Sequence, residues 1–304
     1  MKRVAVLALL ILTGGATMPF AARQAQQQQQ QAPLPEPTKV KENLWVIAGS
    51  SPVDRSKFTG GNVAIYVADS GVVVVDTKVP GFGPLLLERI KSVTSKPVTM
   101  IINTHTHFDH TGSNDGFPPS VEIVAHENTK ANMEKMDAFK GEKAKFLPKR
   151  TYKDKLSLLS GKDRIDVYHF GRGHTNGDSF IVFSSLRTAH AGDMFAWKDA
   201  PFLDRANGGS GVEFPQTLAK AVAGLKKDVD TVIPGHIPVA TIGDLEEYQR
   251  FNADLVASAQ AAMKGGKSLD QAVADALAVV QKYKGYNSDR LKAAVEALYA
   301  ELKK

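Results

Sequence analysis

Residues 105–110 concentrate three histidines and one aspartate directly after the apolar run VTMIINT. The apolar run is typical of a buried β-strand, so the imidazoles come at a strand end, where functional loops gather. Burying several imidazoles is costly unless each has a partner, and an exposed loop gains nothing from them. The segment therefore predicts a fold in which a buried strand ends at a site for a partner that takes several nitrogen and oxygen ligands.

Patterns of strands and helices alternate around this segment, over residues 38–250. The short apolar runs NVAIYVA and VVVVDT predict two strands joined by a turn at residues 69–71. The segments GPLLLERIKSV and FPQTLAKAVAGLKK have the apolar spacing of helices. Strands interleaved with helices indicate an α/β or α+β sandwich. An apolar content of 43% is ample for one large core, so we predict a single main domain here.

The last part of the chain, residues 251–304, is predicted to be a helical extension of that domain. Helical patterns cover residues 244–263, 269–281 and 288–302. The last of these helices carries an apolar stripe, formed by Leu291, Val295, Leu298 and Leu302. The stripe favours packing against the main domain, with a dimer interface as the alternative. The oligomeric state stays open.

The first 22 residues have the layout of a secretory signal peptide, with two basic residues, an apolar run at residues 4–12 and then small residues. The apolar run is too short to span a bilayer, and an uncleaved anchor is the alternative. Residues 23–37 are rich in Gln and Pro, which predicts a disordered spacer. We therefore expect a periplasmic or secreted protein with no stable membrane anchor after signal cleavage.

Composition restricts the chemistry and the partners further. The chain has no cysteine, which excludes disulfides, thiolate catalysis and cysteine metal ligands. The formal net charge is +6, and removal of the three positive charges of Lys2, Arg3 and Arg23 lowers it to about +3. That charge gives no argument for nucleic-acid binding, so we expect a small-molecule substrate and no nucleic-acid partner.

Three later segments, GRGHTNGD, HAGDMF and IPGHIP, place a histidine or an aspartate beside glycines at the end of a predicted strand. Strand ends at one edge of a sandwich converge, so these residues are expected to meet the first cluster. Within that cluster, His105 and His107 share one face because side chains alternate along a strand. The candidate metal ligands are His105, His107, Asp109, His110, His174, Asp193 and His236.

Seven nitrogen and oxygen ligands are too many for one tetrahedral ion and suit two ions about 3.5–4 Å apart that share a carboxylate. Imidazole with carboxylate suits Zn²⁺, with Fe or Mn as alternatives. A hydroxide held between two such cations is available near neutral pH and would attack a carbonyl or phosphoryl centre. Asp109 is the predicted catalytic residue, because it can orient this hydroxide and take its proton.

The segments THTHFDH, GRGHTNGD, AGDMF and IPGH resemble the metallo-β-lactamase superfamily, and the resemblance covers about residues 43–248. It implies an αββα sandwich with a di-metal site at one edge. The implied first metal site is His105, His107 and His174. The implied second site is Asp109, His110 and His236, with Asp193 bridging the two.

Departures from the lactamase branches bear on the substrate. One lactamase branch of the resembled superfamily has a cysteine ligand near the place of Asp193, and another lacks the bridging acid. The presence of Asp193 looks more like the glyoxalase II, lactonase and phosphodiesterase branches, whereas HTNGDS and the signal peptide look like the exported lactamase-like branch. His107 replaces the acidic residue of the flavin-coupled di-iron branch, which favours hydrolysis over oxygen reduction.

These features predict an exported zinc-dependent hydrolase that cleaves an ester, lactone, thioester or amide of a small molecule. A β-lactamase is the first alternative. A phosphodiesterase and a non-catalytic metal-binding module are lower-ranked alternatives.

The remaining polar residues are predicted to have structural roles or to support the metal ligands. His126, His169 and His190 lie on predicted strands and are expected to be hydrogen-bonded rather than ligating. Asp76 ends the run VVVVDT, where it either orients a ligating histidine or caps the strand.

Two loops, residues 49–62 and 194–214, combine aromatic residues with flexible glycines and are predicted to form the wall of a substrate pocket. The alternative is that Phe195, Trp197 and Phe202 only pack the second loop onto the domain.

Overall fold

The computed structural model describes residues 32–50 and 57–303. The predicted signal peptide, residues 1–22, and the spacer up to residue 31 lie outside the described residues. One compact unit begins at Leu34. In the described ranges, no helix combines the length and the apolar character needed to cross a bilayer.

The first sheet has seven strands that follow one another in chain order. The first four strands pair antiparallel, and the last three add in parallel. The change comes where helix α1 (Gly83–Val93) connects two strands, because a parallel pair needs a long crossover. The strands are β1 (Thr38–Lys41), β2 (Leu44–Ile47), β3 (Val63–Ala68), β4 (Gly71–Val75), β5 (Val98–Ile102), β6 (Glu122–His126) and β7 (Arg150–Tyr152).

The second sheet has six strands in the order β13-β12-β11-β10-β9-β8. Its strands pair antiparallel except β11 and β12, which are parallel and joined through helix α4 (Phe214–Leu225). The strands are β8 (Lys155–Leu158), β9 (Ile165–Tyr168), β10 (Phe180–Phe183), β11 (Thr188–Gly192), β12 (Thr231–Pro234) and β13 (Ala240–Thr241).

The helices begin at local signals that the sequence carries. Helix α1 has a proline in its first turn, where the missing N–H costs nothing. Helices α5 (Ile242–Lys264) and α6 (Leu269–Val280) begin with capping boxes, formed by Thr241 with Asp244 and by Ser268 with Gln271. The remaining helices are α2 (Phe108–Thr111), α3 (Glu127–Met133) and α7 (Leu291–Leu302).

The two sheets face each other across an apolar core, and helices cover their outer faces. Val73 and Ile102 of the first sheet pack with Ile165 and Phe183 of the second. Leu86 and other apolar residues of α1 cover the opposite face of the first sheet. Helices α4–α7 cover the opposite face of the second. The predicted αββα sandwich with helices at its C-terminal end is therefore confirmed.

The C-terminal helices belong to the same core as the second sheet. The stripe residues Leu291, Val295 and Leu298 of α7 are buried with apolar residues of α4 and α5. The stripe therefore packs against the main domain, as its spacing predicts. Helix α5 runs continuously through residue 250, where we expected the extension to begin, so the domain and its extension share one helix.

The end of the predicted spacer differs from the expectation of disorder. Leu34 is buried against α1, because an apolar side chain gains free energy by leaving water. Arg89 of α1 donates through Nη2 to the Leu34 carbonyl at 2.9 Å and pairs with Glu36 at 2.9 Å. The segment just before β1 is therefore attached to the domain.

Candidate metal centre

The site lies where several strands of the two sheets end. His105 and His107 follow the end of β5 in a loop, and Asp109 and His110 lie in the four-residue helix α2. Strand β5 ends at Ile102, and in the loop that follows Asp76 accepts hydrogen bonds from both the backbone N–H and the hydroxyl of Thr104, at 2.8 and 2.7 Å. The prediction that His105 and His107 share a strand face is therefore wrong, although both reach the site.

The other candidate ligands come from three further connections. His174 lies in the loop between β9 and β10, Asp193 directly follows β11, and His236 follows β12. The structure brings all seven candidates together in two groups with the spacing of metal ligands. The groups are His105, His107, His174 and Asp193, and Asp109, His110 and His236.

The first group is compact, and its members offer ligand atoms within 4.8 Å of one another. His107 Nδ1 lies 2.9 Å from His174 Nε2. Asp193 Oδ2 lies 3.5 Å from His174 Nε2 and 4.0 Å from His105 Nε2. Three imidazoles and one carboxylate match the donor set of a four-coordinate cation.

The second group is equally close. His110 Nε2 lies 3.2 Å from His236 Nε2, and Asp109 Oδ2 lies 3.3 Å from His236 Nε2 and 3.5 Å from His110 Nε2. The other oxygen of Asp193, Oδ1, lies 3.3 Å from His110 Nε2 and 3.4 Å from His236 Nε2. One oxygen of Asp193 thus faces each group, which is the geometry of a bridging carboxylate.

Hydrogen bonds fix which nitrogen of each imidazole points into the site. A ring N–H that donates to an oxygen leaves a lone pair on the other ring nitrogen. Every one of the five histidines has such an acceptor on the side away from its group. The pairs are His105 Nδ1 with Thr104 Oγ1 at 2.9 Å, His107 Nε2 with Asp204 Oδ2 at 2.7 Å, His110 Nδ1 with Asp76 Oδ2 at 2.7 Å, His174 Nδ1 with the Phe202 carbonyl at 2.7 Å and His236 Nδ1 with the Ser50 carbonyl at 3.1 Å.

Five imidazole lone pairs therefore converge with the carboxylates of Asp193 and Asp109. Lone pairs facing each other repel unless an electron-pair acceptor lies between them. His105 Nε2 and Asp193 Oδ1 are buried and have no hydrogen-bond partner in the described part of the chain. Buried polar atoms are normally satisfied, so these two atoms are suited to bind a ligand. The residues fit a divalent cation in each group.

Protonation states support this fit. Burial lowers the pKa of His174 to about 4, and it also holds the pKa of His105 well below its usual range. His105 and His174 are therefore neutral imidazoles at neutral pH, as metal ligation requires. In the second group burial is outweighed by Asp193 and Asp109, which raise the pKa of His236 to about 9. The same carboxylates raise the pKa of His110, so a cation in this group would replace the protons that His110 and His236 otherwise hold.

Two glycines make the close packing of the ligands feasible. A Cβ atom at Gly235 would lie 1.9 Å from Asp193 Oδ1, and one at Gly61 would lie 2.2 Å from His110 Cε1. No real side chain tolerates such distances. These positions therefore need glycine so that the backbone can approach the ligands directly.

A cavity of about 730 Å³ opens onto the two groups, with Asp109 and Asp193 in its lining. Its walls are largely aromatic. Trp197 lies 5.6 Å and Phe58 6.1 Å from His236, measured between ring centroids, and Phe202 lies 5.8 Å from His107. Phe202 is 46% exposed, which is unusual for a large apolar side chain without a ligand. The cavity suits a small molecule with an apolar part.

The two predicted wall loops contribute as expected, with one exception. Trp197 and Phe202 line the cavity, whereas Phe195 is fully buried in the core, 4.9 Å from the ring of Tyr248. The loop at residues 49–62 brings Phe58 to the cavity, and its residues 51–56 lie outside the described part.

The other histidines have the predicted hydrogen bonds to backbone carbonyls. His126 Nε2 bonds the Lys153 carbonyl at 2.8 Å, His169 Nδ1 bonds that of Asp178 at 2.8 Å, and His190 Nε2 bonds that of Asn62 at 3.3 Å. Asp76 contacts His110 Nδ1 at 2.7 Å, so it is placed to orient this candidate ligand.

Three residues near the site were not identified from the sequence. Asp204 orients His107 from within a predicted wall loop. Lys78 is fully buried and donates to the carbonyls of Ala48 and Gly61 at 2.7 Å each. Arg290 reaches the cavity from the C-terminal helices. Of the three, only Lys78 has a local signal, since it lies three residues after strand β4 ends at Val75.

Comparison with known proteins agrees with this geometry. A sequence profile of the metallo-beta-lactamase superfamily matches residues 57–236, more than half of the chain. The chain belongs to the metallo-beta-lactamase superfamily. The match ends at His236, so helices α5–α7 lie outside the part that this superfamily profile describes.

Individual members of the superfamily are distant relatives. The chain is 26% identical over 209 residues to metallo-beta-lactamase type 2 of Elizabethkingia meningoseptica, a match that covers 65% of this chain and 77% of that protein. It is 30% identical over 129 residues to the alpha subunit of 2,4-dinitroanisole O-demethylase of Nocardioides sp. (strain JS1661), covering 41% of this chain and 38% of that one.

Solved structures of superfamily members share the fold. A metallo-beta-lactamase from Pontibacter korlensis has a TM-score of 0.59 and 20% identity, covering 72% of this chain and 99% of that one. The metallo-beta-lactamase FIM-1 from Pseudomonas aeruginosa, in its mono-zinc form, has a TM-score of 0.60 and 14% identity, with 74% and 97% covered. At these identities the likeness supports the fold alone.

Proposed function

We propose that this protein is a zinc-dependent hydrolase with two metal sites that cleaves an ester, lactone, thioester or amide bond in a small molecule. The observation that carries the proposal is the set of five imidazole lone pairs that converge around Asp193, whose two oxygens face separate groups. Superfamily membership and the cavity above both groups support it.

The first metal would be held by His105, His107 and His174, and the second by Asp109, His110 and His236. Asp193 would bridge them. Imidazole and carboxylate donors suit Zn²⁺, and Fe or Mn are compatible with the same donors. Cations in these groups supply Lewis-acid polarisation of the scissile carbonyl and a water of lowered pKa.

The protein's own residues position the reaction. Asp193 neutralises charge between the groups and sets their separation, because each of its oxygens belongs to one of them. The aromatic rings of Trp197, Phe58 and Phe202 hold the apolar part of the substrate and exclude water from the cavity.

Asp109 is the proposed catalytic residue. Its carboxylate lines the cavity and its side chain is 12% exposed, so a nucleophilic water can reach it. The same carboxylate lies 3.3 Å from His236 Nε2, which fixes its orientation. In this position Asp109 can accept the proton of the nucleophile and return it to the leaving group.

A β-lactamase is the second candidate, because a relative that matches 65% of the chain is a metallo-beta-lactamase. The two oxygens of Asp193 face separate groups and the chain has no cysteine, and both features support the lactonase or thioesterase type that we favour. A substrate panel separates these functions. Zinc-loaded protein is tested with a lactone, an acyl-thioester, nitrocefin and bis-p-nitrophenyl phosphate.

The proposal expects the lactone or the thioester to be hydrolysed faster than nitrocefin and the phosphodiester. Preferred turnover of nitrocefin would support the lactamase instead, and turnover of the phosphodiester alone would support a phosphodiesterase. Absence of all four activities in a protein that retains its metals would leave a non-catalytic metal-binding module as the better interpretation.

We also propose that the protein is exported, on the basis of the signal-peptide pattern in residues 1–22. Mass spectrometry of the protein from its native host should then find the first residues missing, with cleavage before about residue 31. Recovery of an intact Met1 on a soluble cytosolic protein would refute this.

A further inference from the structure

Arg290 lines the cavity from the C-terminal part of the chain, just before helix α7. Its guanidinium lies 3.8 Å from the ring centroid of Trp197, stacked on the indole. The backbone N–H of Arg290 donates to Asp199 Oδ2 at 3.3 Å, which anchors the residue beside the wall loop. The side chain is half-buried.

The guanidinium has no hydrogen-bonding or ion-pair partner in the part of the chain that the structure describes. Several other arginines in the described ranges are paired, as Arg172 is with Glu213 at 2.7 Å. Acidic side chains in the cavity are already engaged, since Asp109 and Asp193 belong to the two groups and Asp204 bonds His107. A half-buried guanidinium that lines an open cavity is placed to pair with the charge of a ligand bound there.

The C-terminal helices are attached to the wall loop in a way that fixes this arginine. The Asn287 N–H donates to the Lys198 carbonyl at 2.9 Å. Glu301 of α7 accepts from the Gly211 N–H at 2.8 Å and from the Ser210 hydroxyl. The position of Arg290 is therefore built into the fold rather than set by a free surface side chain.

We propose that Arg290 binds a carboxylate of the substrate, so that the substrate class is an ester, lactone, thioester or amide carrying both an apolar group and a negative charge. This proposal rests on the hydrolase function proposed above. Trp197 lies beside His236, so Arg290 is on the side of the second group, whereas Phe202 lies beside His107 and His174 of the first. The substrate would span the two groups with its carboxylate toward Arg290.

The chemistry of the side chain suits this role. A guanidinium offers parallel N–H donors that match a carboxylate in a bidentate pair. Stacking on Trp197 covers one face of the planar group and leaves its edge free to donate. Because Arg290 lies outside the part matched by the superfamily profile, the charge preference is a property of the C-terminal helices of this chain.

The direct test is binding of an unreactive ligand pair to the zinc-loaded protein by isothermal titration calorimetry. The probes are 4-phenylbutanoate and its uncharged amide, 4-phenylbutanamide. Arg290→Gln should weaken binding of the carboxylate by about 10- to 100-fold and leave the amide unchanged. Arg290→Lys should retain part of the affinity. Lys292→Gln, which removes an exposed charge from the first turn of α7, is the matched control.

A kinetic test uses two esters of equal acyl length, mono(4-nitrophenyl) glutarate and 4-nitrophenyl pentanoate. Arg290→Gln should raise KM for the glutarate ester by about 10- to 100-fold, with little change in kcat and no change for the pentanoate. Equal losses on both esters, or the same loss in Lys292→Gln, would overturn the assignment. Unfolding temperatures are measured for all variants to check that each remains folded.

The two proposals fail in different ways. If wild-type protein binds the carboxylate through Arg290 but hydrolyses neither ester nor any substrate of the panel, the anion site stands and the hydrolase function fails. If both esters are hydrolysed equally and Arg290→Gln changes neither binding nor KM, the anion site fails and the hydrolase function stands.

Discussion

His107 Nε2 lies 2.7 Å from Asp204 Oδ2, although 97 positions separate the two residues in the chain. The carboxylate holds the imidazole so that Nδ1 points at His174. Asp204 is itself held by Asn207, whose side-chain amide donates to Oδ2 at 2.6 Å and whose N–H donates to Oδ1 at 3.1 Å. His107 lowers the pKa of Asp204 despite its burial, so the carboxylate stays ionised. The wall loop thus controls a metal ligand as well as the cavity.

Replacing Asp204 tests whether this contact supports metal binding. Asp204→Ala should weaken zinc binding in the first group by about 10- to 100-fold, because His107 loses the acceptor that fixes its orientation. Asp204→Asn should lose less, since an amide oxygen still accepts from the imidazole. Competition with a fluorescent zinc chelator measures both affinities.

Asp228→Ala is the matched control, because it removes an exposed carboxylate far from the contacts described for the site. Equal zinc affinities for Asp204→Ala and Asp228→Ala would show that His107 does not depend on Asp204. The cap of the short helix at Arg205–Asn207 also involves Asp204, so unfolding temperatures are compared as well.

Substitution of Asp193 is expected to reduce metal binding and activity more than substitution of any other of the seven residues, since one of its oxygens faces each group. Asp193→Ala should lose the second metal and most of the hydrolytic activity. Its metal affinity should fall by more than about 100-fold, a larger loss than is typical for residues that only hydrogen-bond the ligands. Elemental analysis after dialysis gives the metal content, and the substrate panel gives the activity. Full retention of two metals and of nitrocefin turnover would show that Asp193 is no bridge.

Gly235→Ala tests the position of the same carboxylate without changing its charge. A Cβ at this position would lie 1.9 Å from Asp193 Oδ1, so the carboxylate must move. We expect reduced metal affinity and activity, in the direction of Asp193→Ala. Gly243→Ala adds the same methyl group 3.6 Å from Thr241 Oγ1, an ordinary contact, and should change neither.

Metal loading should change stability as well as composition. Seven converging ligands predict about two equivalents of zinc per chain by elemental analysis. Removal with EDTA should lower the unfolding temperature, because a ligand bound only by the folded state stabilises that state. A content that never exceeds one equivalent in excess zinc would contradict the di-metal proposal.

Much of the fold follows from the sequence because its strands are apolar runs with clear ends. Helix α1 is found where GPLLLERIKSV predicts it, and α6 within one residue of its predicted end. Strands β7 and β8 were not recognised, since they lie at sheet edges in a lysine-rich segment. Edge strands carry charge to avoid pairing with other chains, which hides them from an apolar pattern.

Within the site, sequence predicts the residues that must be histidine or aspartate next to strand ends, and all seven converge. It does not predict Asp204 or Arg290, because their roles depend on how a loop and a helix fold back over the cavity. Neither residue stands in a motif or a periodic pattern. Long-range contacts of single polar residues have no local signature.

Lys78 illustrates the same limit and leads to the last prediction. Its side chain is fully buried, and its Nζ donates to the carbonyls of Ala48 and Gly61 at 2.7 Å each. These carbonyls flank the loop that brings Phe58 to the cavity. Lys78 has a left-handed backbone, with φ of 73°, so the chain accepts local strain to place this side chain. We infer that Lys78 fastens the two ends of the loop.

Lys78→Met keeps the length of the side chain and removes its donors. Two buried carbonyl groups lose a partner, which should lower the free energy of unfolding by about 2–4 kcal/mol at neutral pH. Lys220→Met, at an exposed position of helix α4, is the control and should change stability far less. Chemical denaturation followed by circular dichroism measures both.

The pH dependence of that difference reports the charge on Lys78. Burial lowers the pKa of Lys78 to about 7, with the charges of Asp109 and Asp76 opposing the shift, whereas an unfolded lysine titrates near 10.5. Between these values the unfolded chain binds one more proton than the folded chain. The pH-dependent part of the Lys78 contribution to stability therefore increases as pH rises, and it is lost as pH falls to about 7. The difference in unfolding free energy between wild type and Lys78→Met should therefore grow by about 1 kcal/mol per pH unit between about pH 7.5 and 9.5. A difference that stays constant over this range would show that the amine remains charged on its two carbonyls.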